Sequence, residues 1–416
     1  MTDFYDDFET RDPDLREATQ FECLRGQIAR AKAEAPGMAQ HLEGIDPEAV
    51  TDRAALAGLP VLRKGQLLEL QKADPPFGGL TTRPATGFDN VFQSPGPIYE
   101  PGLSSEPDWW RMARAIYAAG FRAGDIVHNS FAYHLTPAGH MMESGARALG
   151  CAVLAGGVGN TEAQVGAAAD IGVSGYIGTP DFLKVMLDKA AETGRDLSRI
   201  RRALVSGGPL FPSLRQEYAD RGIACLQCYA TADVGLISYE TANETGALEG
   251  MVCDEGAIVE IVHPGTGDPV PDGEVGEVLV TALNGDYPLI RFVTGDMSAV
   301  LAGTSSCGRT NMRIKGWMGR ADQTAKIKGM FVRPEQIAEI VGRHPEVLRA
   351  RLTVTRVGEQ DAMMLAVEAQ TPSPELAAAV RETMQAVLKL RGEVEADLPG
   401  SLANDVKVID DIRKFD

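Results

Sequence analysis

Between residues 106 and 265 the chain alternates helical patterns with short apolar runs. The runs are DIVHNSFA, CAVLAGG, GYIGTP, IRRALVSGG and IACLQCYA; between them lie GHMMESGARALG, TEAQVGAAADIG, DFLKVMLDKAAETG and SLRQEYADRG. An apolar run too short for a helix, followed by a helix and then another such run, reads as a crossover unit, and repeated units imply a parallel sheet covered on both faces. Ligands of such sheets sit in the loops at the carboxyl ends of the strands. Three of those loops stand out: His134-Leu135-Thr136-Pro137, Ser206-Gly207-Gly208, and Tyr229-Ala230-Thr231-Ala232-Asp233.

The flanks read differently. Residues 10–75 have helical spacing with short breaks, and residues 76–104, rich in Gly, Pro and Thr, read as loop and short strand. Residues 257–301 switch to short strands and turns, a hairpin-rich segment. From 322 onward a pattern of roughly βαββα predicts a compact α+β module of normal domain size. The expected fold is therefore α/β. A large N-terminal domain, 1–321, combines helix-covered parallel and mixed sheets with a β-rich subdomain; a small, mobile α+β cap covers 322–416.

Forty Lys and Arg stand against 58 Asp and Glu among 416 residues, a formal charge of −18. That balance argues against a nucleic-acid partner, which requires a basic face, and against an anionic membrane surface. No apolar run spans a bilayer, the acidic start has no signal-peptide core, and six Cys in a chain this long are no disulfide framework. The expected compartment is the cytoplasm.

Each loop motif alone is common; Thr-Gly-Asp makes an ordinary turn. Their order along the chain is not: YATAD (229–233), GEVLVTAL (276–283), PLIRFVTGD (288–296), CGRT (307–310) and GRADQTAKIKGMFVRPEQIAEI (319–340). This order resembles the adenylate-forming superfamily, most closely its phenylacetate–CoA ligase-like branch, from about residue 105 to the C-terminus. The resemblance implies ATP, Mg²⁺ and coenzyme A as cofactors. A carboxylate attacks the α-phosphate to give an acyl-adenylate, and a thiol then displaces AMP. The C-terminal domain swings between the two half-reactions.

The resemblance also implies roles. Asp233 would serve a hydrated Mg²⁺, the metal that in-line attack between two anions requires. Thr231 would donate its hydroxyl to the α-phosphate. Tyr229 would lie against adenine, with Ser206, Gly207 and Gly208 allowing close backbone approach at its edge. Asp296 would accept the ribose hydroxyls, Arg320 would reach ribose and phosphate, and Asp322 would be the hinge. Lys407 is the candidate adenylation lysine, with Lys414 behind it. Phe131, Tyr133 and His134 would line an acyl pocket suited to an aryl or arylacetic acid. Family analogy points to a homodimer.

Two departures from the pattern bear on chemistry. The phosphate-loop region, Phe92 to Glu100, has one hydroxyl residue before two prolines and no Lys, whereas a phosphate cradle is made of backbone N–H groups that Pro lacks. The C-terminal Lys is displaced relative to Val408-Ile409-Asp410. An adenylating enzyme with a non-CoA acceptor, or a nucleotide- or acyl-binding protein without turnover, are the competing readings. Relatives in this branch can carry zinc, but here only Cys253 and Cys307 remain near that position, fewer than a four-coordinate site needs. Cys225 and Cys228 form a CxxC on an apparent buried strand, where alternation puts them on opposite faces.

Overall fold

A computed structural model describes residues 4–94, 96–208, 210–243, 246–321, 325–327, 330–357, 360–403 and 407–413. The chain forms two compact units, one of residues 1–294 and 298–317, the other of residues 295–297 and 318–416.

The first unit begins with helical turns and then a hairpin of β1 (Asn90–Ser94) and β2 (Ile98–Gly102). The alternating region supplies β3 (Ile126–Asn129), β4 (Ala152–Ala155), β5 (Gly175–Gly178), β6 (Arg202–Val205) and β7 (Ala224–Thr231). Pairing β3 with β4 and β5, β5 with β6, and β6 with β7 is parallel throughout. The sheet then turns antiparallel through β8 (Gly235–Asn243) and β9 (Gly246–Cys253). Strands β10 (Ala257–Val262), β11 (Gly276–Ala282) and β12 (Phe292–Ser298) form a three-stranded sheet. Two short strands, β13 (Val300–Leu301) and β14 (Arg313–Ile314), finish the large sheet in the order β13-β14-β9-β8-β7-β6-β5-β3-β4.

Side-chain alternation explains why both faces of the parallel part are covered. Val127, Ile177, Leu204 and Leu226 enter one buried cluster, while Tyr176, Ala203, Val205 and Cys225 enter another. Cys228 joins the first cluster and Cys225 the second, so the CxxC is split across the sheet. The first long helix, Pro13–Glu34, is started by Asp12, whose carboxylate accepts from the N–H groups of Asp14 and Leu15. Its apolar stripe, Phe21, Leu24, Ile28 and Ala31, packs in one cluster with Ile258, Val278 and Val280 of the β10–β11 ladder. The stretch 106–121 is helical only over Ala113–Ala118, because Asp108 and Arg111 take positive φ and interrupt the spacing.

In the second unit the segment KIKGMFV is two short strands, β15 (Ala325–Ile327) and β16 (Met330–Val332), rather than one. The long pair β17 (Val347–Val357) and β18 (Gln360–Ala369) is antiparallel, and helices Pro334–Gly342 and Pro374–Leu388 add Ile337, Ile340, Val380 and Met384 to its core. The expected βαββα lacked the two edge strands, β19 (Glu393–Asp397) and β20 (Ile409–Asp411). Both are short and mostly acidic, so they carry no apolar period; each is held by parallel pairing, β19 to β18 and β20 to β17.

One buried ion pair fastens the N-terminal segment to the β10–β11 layer. Arg291, 2% exposed and at positive φ, donates from Nε and Nη2 to the two Glu260 oxygens, each at 3.0 Å. Its remaining donors reach the carbonyls of Ala57, Leu59 and Gly267. Beside it Leu62 pairs in parallel with Phe292, through Leu62 N–H to Arg291 O and Val293 N–H to Leu62 O. Removing one partner of such a pair strands the other charge in the core. We therefore expect Arg291→Ala to lower unfolding free energy by about 3–5 kcal/mol in urea titration, and Glu260→Gln by less.

Candidate functional site

The carboxyl ends of β3, β6 and β7 carry three of the groups of residues that the resemblance singles out. After β3, buried Asn129 organises the loop: its Nδ2 donates to Tyr133 Oη at 2.7 Å and to Gly139 O at 2.8 Å, and its Oδ1 accepts from Phe131 N–H at 3.2 Å. Gly139 allows the following helix to come this close, since a Cβ there would lie 2.6 Å from Ala132 O and 2.9 Å from the Tyr133 ring. Phe131 is buried, Tyr133 is half-buried and His134 is exposed. The imidazole packed in this loop is that of His140, edge-on to Tyr133 with ring centres 5.3 Å apart and tilted on Phe92 at 5.2 Å. Asn129 and His140 escaped the sequence reading as pocket residues, and Phe92 was read only as part of the phosphate-loop region, because only the folded loop brings them together.

After β6, Gly207 takes φ +75, and the space at its missing Cβ is bordered by Phe131 at 3.5 Å. Ser206 is buried, and Gly208 O accepts from Gln227 Nε2 at 3.0 Å, tying this loop to β7. At the end of β7 Tyr229 is 7% exposed and packs with the main core. Thr231 Oγ1 accepts from Val234 N–H at 3.3 Å, closing the turn into β8. No helix follows Asp233, so it is not a helix cap; β8 starts at Gly235.

Asp233 lies in an unusual electrostatic setting. Its carboxylate is buried, Oδ2 sits 3.1 Å from Lys64 Nζ, and Oδ1 has no hydrogen-bond partner among the described residues. Lys64 opens the helix Lys64–Ala73, two residues beyond the Leu62–Phe292 pairing. A second carboxylate, Glu100 on β2, is 1% exposed, with Ser94 as its hydrogen-bonding neighbour. Burial, and then the charge of Asp233, push the Glu100 carboxyl up to about 8, against the lowering pull of Ser94 and Lys64. Tyr287, likewise buried with its hydroxyl unpartnered, is raised well above the usual phenol range by burial and by both carboxylates.

The segment in the phosphate-loop position is a tight hairpin, with Phe92 opposite Glu100 and Ser94 opposite Ile98. Two of its amides are already used: Gln93 N–H donates to Leu135 O and Tyr99 N–H to Gln71 Oε1. Its described residues do not offer the open row of donors that a triphosphate cradle needs. Glu100 was read only as the end of the phosphate-loop region, not as a buried acid beside Asp233, and Lys64 was not legible as a site residue because it begins an ordinary surface helix.

The second unit holds the other candidates. Asp296 and Arg320 form an antiparallel bridge, and Arg320 Nη1 lies 3.4 Å from Asp296 Oδ1. Lys407 Nζ pairs with Asp410 Oδ1 at 2.7 Å, on a side chain that is half exposed. Asp322 and Lys414 lie outside the described residues. In the first unit Cys307 Sγ sits 3.0 Å from Ser305 Oγ, and Cys253 is buried in the main core cluster.

The AMP-binding enzyme family model matches residues 111–284. Phenylacetate–coenzyme A ligase of Aromatoleum evansii is 28% identical over 375 residues, 86% of this chain and 83% of that protein. The Thermus thermophilus enzyme of the same name is 27% identical over 88% of this chain and 84% of its own length. Among solved structures, 2-hydroxyisobutyryl-CoA ligase in the postadenylation state, bound to 2-HIB-AMP, superposes with a TM-score of 0.82 at 23% identity, covering 97% of this chain and 91% of that one. The resemblance read from motif order is borne out, in family and in fold.

The Glu100 carboxyl has a pH signature. With its folded pKa raised from 4.5 to about 8, the folded chain keeps a proton that the unfolded chain releases. Stability therefore falls as pH rises through that window, by on the order of 5 kcal/mol once the group is ionised. Glu100→Gln is expected to remove this loss, so that its melting temperature relative to the parent rises from pH 5 to pH 9.

Proposed function

We propose that this chain, an adenylate-forming enzyme of the phenylacetate–CoA ligase-like branch, is an AMP-forming acid–thiol ligase acting on an aryl or arylacetic acid. The observation that carries the reading is the loop ending β7. It puts the Tyr229 ring and the buried Asp233 carboxylate at the carboxyl end of a parallel strand, beside the glycine loop after β6 that Gln227 ties to that strand. The 28% and 27% identities to phenylacetate–CoA ligases, each over more than four fifths of both chains, support the same reading.

In this reading the acid whose carboxylate is adenylated is small and is held by the β3 loop. Phe131 and the Tyr133–His140–Phe92 ring cluster supply flat apolar contact, and Asn129 fixes the loop that carries them. Tyr229 and the Ser206–Gly208 backbone take the adenine, and Thr231 donates to the α-phosphate. The Thr231 oxygen accepts from Val234 N–H, which leaves the hydroxyl proton to donate. Asp233 fits a magnesium ion in donor type, because its Oδ1 is a buried carboxylate oxygen awaiting a partner. When bound, the ion neutralises the phosphate charge that opposes attack by a carboxylate.

Asp296 and Arg320 take the ribose hydroxyls and phosphate, Lys407 supplies the charge for adenylation, and Asp322 is the hinge of a mobile cap beginning at 322. Coenzyme A is the thiol, and the enzyme works as a soluble cytoplasmic homodimer. No helix among the described residues is long and apolar enough to cross a membrane.

The deciding experiment is a pyrophosphate-release and hydroxamate screen over aryl, arylacetic and short aliphatic acids, with and without coenzyme A. Arylacetic acids are expected to release pyrophosphate and to yield a thioester only when coenzyme A is present. Pyrophosphate release without thioester would replace coenzyme A by another acceptor; silence with every acid would overturn the ligase reading. Asp296→Ala should weaken AMP binding roughly 10–100-fold in calorimetry, the loss of a charged acceptor, with little change in melting temperature.

A further inference from the structure

The backbone ahead of Lys407 is held by charge rather than by packing. Residues 398–403 belong to no helix or strand, and all but Leu402 are exposed. None of them enters the core of the second unit. They turn at Gly400, whose φ of +92 favours glycine, and Ser401 N–H donates to Leu398 O at 3.3 Å.

Three charged side chains of the β17–β18 pair grip this turn. Glu368, near the end of β18 and 2% exposed, accepts at one oxygen, Oε1, from Gly400 N–H at 2.9 Å and from Leu402 N–H at 2.8 Å. Arg349 is its partner in the β17–β18 register; it lies 3.8 Å from Glu368 Oε2 and donates to Ala403 O at 3.2 Å. Arg351, two residues further along β17 and so on the same face, donates to Ala403 O at 3.4 Å and from Nε to Lys407 O at 3.2 Å. The intervening residues Leu352, Val354, Leu365 and Val367 fill the core instead. Beyond Lys407, Leu352 N–H donates to Val408 O at 2.8 Å, and Ile409 of β20 pairs with Leu352. Lys407 is thus bracketed by the gripped turn on one side and by β20 on the other.

We propose that Glu368 is a positioning residue for adenylation: by accepting from Gly400 and Leu402 it fixes the backbone from which Lys407 projects. That role rests on the ligase reading, which gives Lys407 the adenylation charge; the grip on the turn does not. A carboxylate that accepts from backbone N–H makes charge-assisted bonds, roughly twice as strong as neutral ones, and burial keeps water from competing for them. Both N–H groups converge on one oxygen, so a single side chain sets the turn. The lysine needs such support because its own four-carbon stem is flexible. A loose turn would add backbone motion to side-chain motion, and misplacing a reacting group by about 1 Å costs on the order of 100-fold in rate.

The test uses the full-length protein with ATP and phenylacetate for the first half-reaction, and synthetic phenylacetyl-adenylate with coenzyme A for the second. Glu368→Ala should lower kcat for pyrophosphate release at least about tenfold, with KM for both substrates changed less than about twofold. It should spare thioester formation from phenylacetyl-adenylate, and Glu368→Gln, which keeps the acceptor oxygen, should restore most of the loss. Lys407→Ala added to Glu368→Ala should slow adenylation no further than Lys407→Ala alone, because both act through one group. Independently of turnover, amide hydrogen exchange at Gly400 and Leu402 should quicken in Glu368→Ala and slow again in Glu368→Gln. Parent-rate pyrophosphate release in Glu368→Ala, equal loss in both half-reactions, or losses that multiply in the double variant would each overturn the positioning role. So would a Lys407→Ala variant that adenylates at the parent rate. A parent silent with phenylacetate counts against the ligase reading, while the exchange rates still decide the grip: unchanged exchange in Glu368→Ala overturns it. Should Glu368→Ala fail to fold, the part-exposed Arg351→Met is expected to show the same split between half-reactions, and its absence is equally decisive.

Discussion

The placement of the charged site residues depends on one buried ion pair. Arg291 uses a planar fork to hold Glu260 through two bonds while three backbone carbonyls take its remaining donors. Desolvating a guanidinium and a carboxylate is costly, and that cost is met only when every donor has an acceptor in good geometry. The arrangement is therefore rigid. It clamps residues 57–59 onto the β10–β11 layer, and the adjacent Leu62–Phe292 bridge continues the clamp. Two residues later Lys64 starts its helix and reaches Asp233. A core interaction without catalytic chemistry of its own thus sets where a cation stands in the site.

The hairpin of β1 and β2 changes the electrostatics expected of an adenylate-forming site. A loop with open amides and a Lys would present positive potential to a triphosphate. This chain instead presents paired strands, amides already engaged, and a buried carboxyl whose charge Asp233 opposes. In the same region the β3 loop is over-determined. Asn129 makes three hydrogen bonds that shape it, and Gly139 permits contact that no side chain could tolerate. The β3 loop is thus preformed, while Asp233 is held by the ammonium of Lys64.

Much of the architecture was legible because it is periodic. Alternating apolar runs and helical stretches in 106–265 specify a parallel sheet through local spacing alone, and the split of Cys225 and Cys228 follows from the same two-residue period. Elements without apolar spacing were not legible. The acidic strands β19 and β20 exist because β18 and β17 offer them parallel edges, and the interrupted helix before β3 ends where Asp108 and Arg111 adopt positive φ.

The order of motifs, from YATAD through PLIRFVTGD to GRADQTAKIKG, was enough by itself to indicate an adenylate-forming chain and to single out Tyr229, Asp233, Asp296 and Arg320. Such residues lie in short contiguous stretches whose chemistry travels with them. The surroundings of Asp233 were decided only by the tertiary structure. Lys64, Glu100, Asp233 and Tyr287 come from four separate parts of the chain, and nothing in the spacing of any one refers to another. Their chemistry also depends on burial. A carboxyl at residue 100 is an ordinary acid in an open loop and a reluctant one in a dry hairpin beside a second carboxylate, and the exclusion of water is a property of packing, not of sequence.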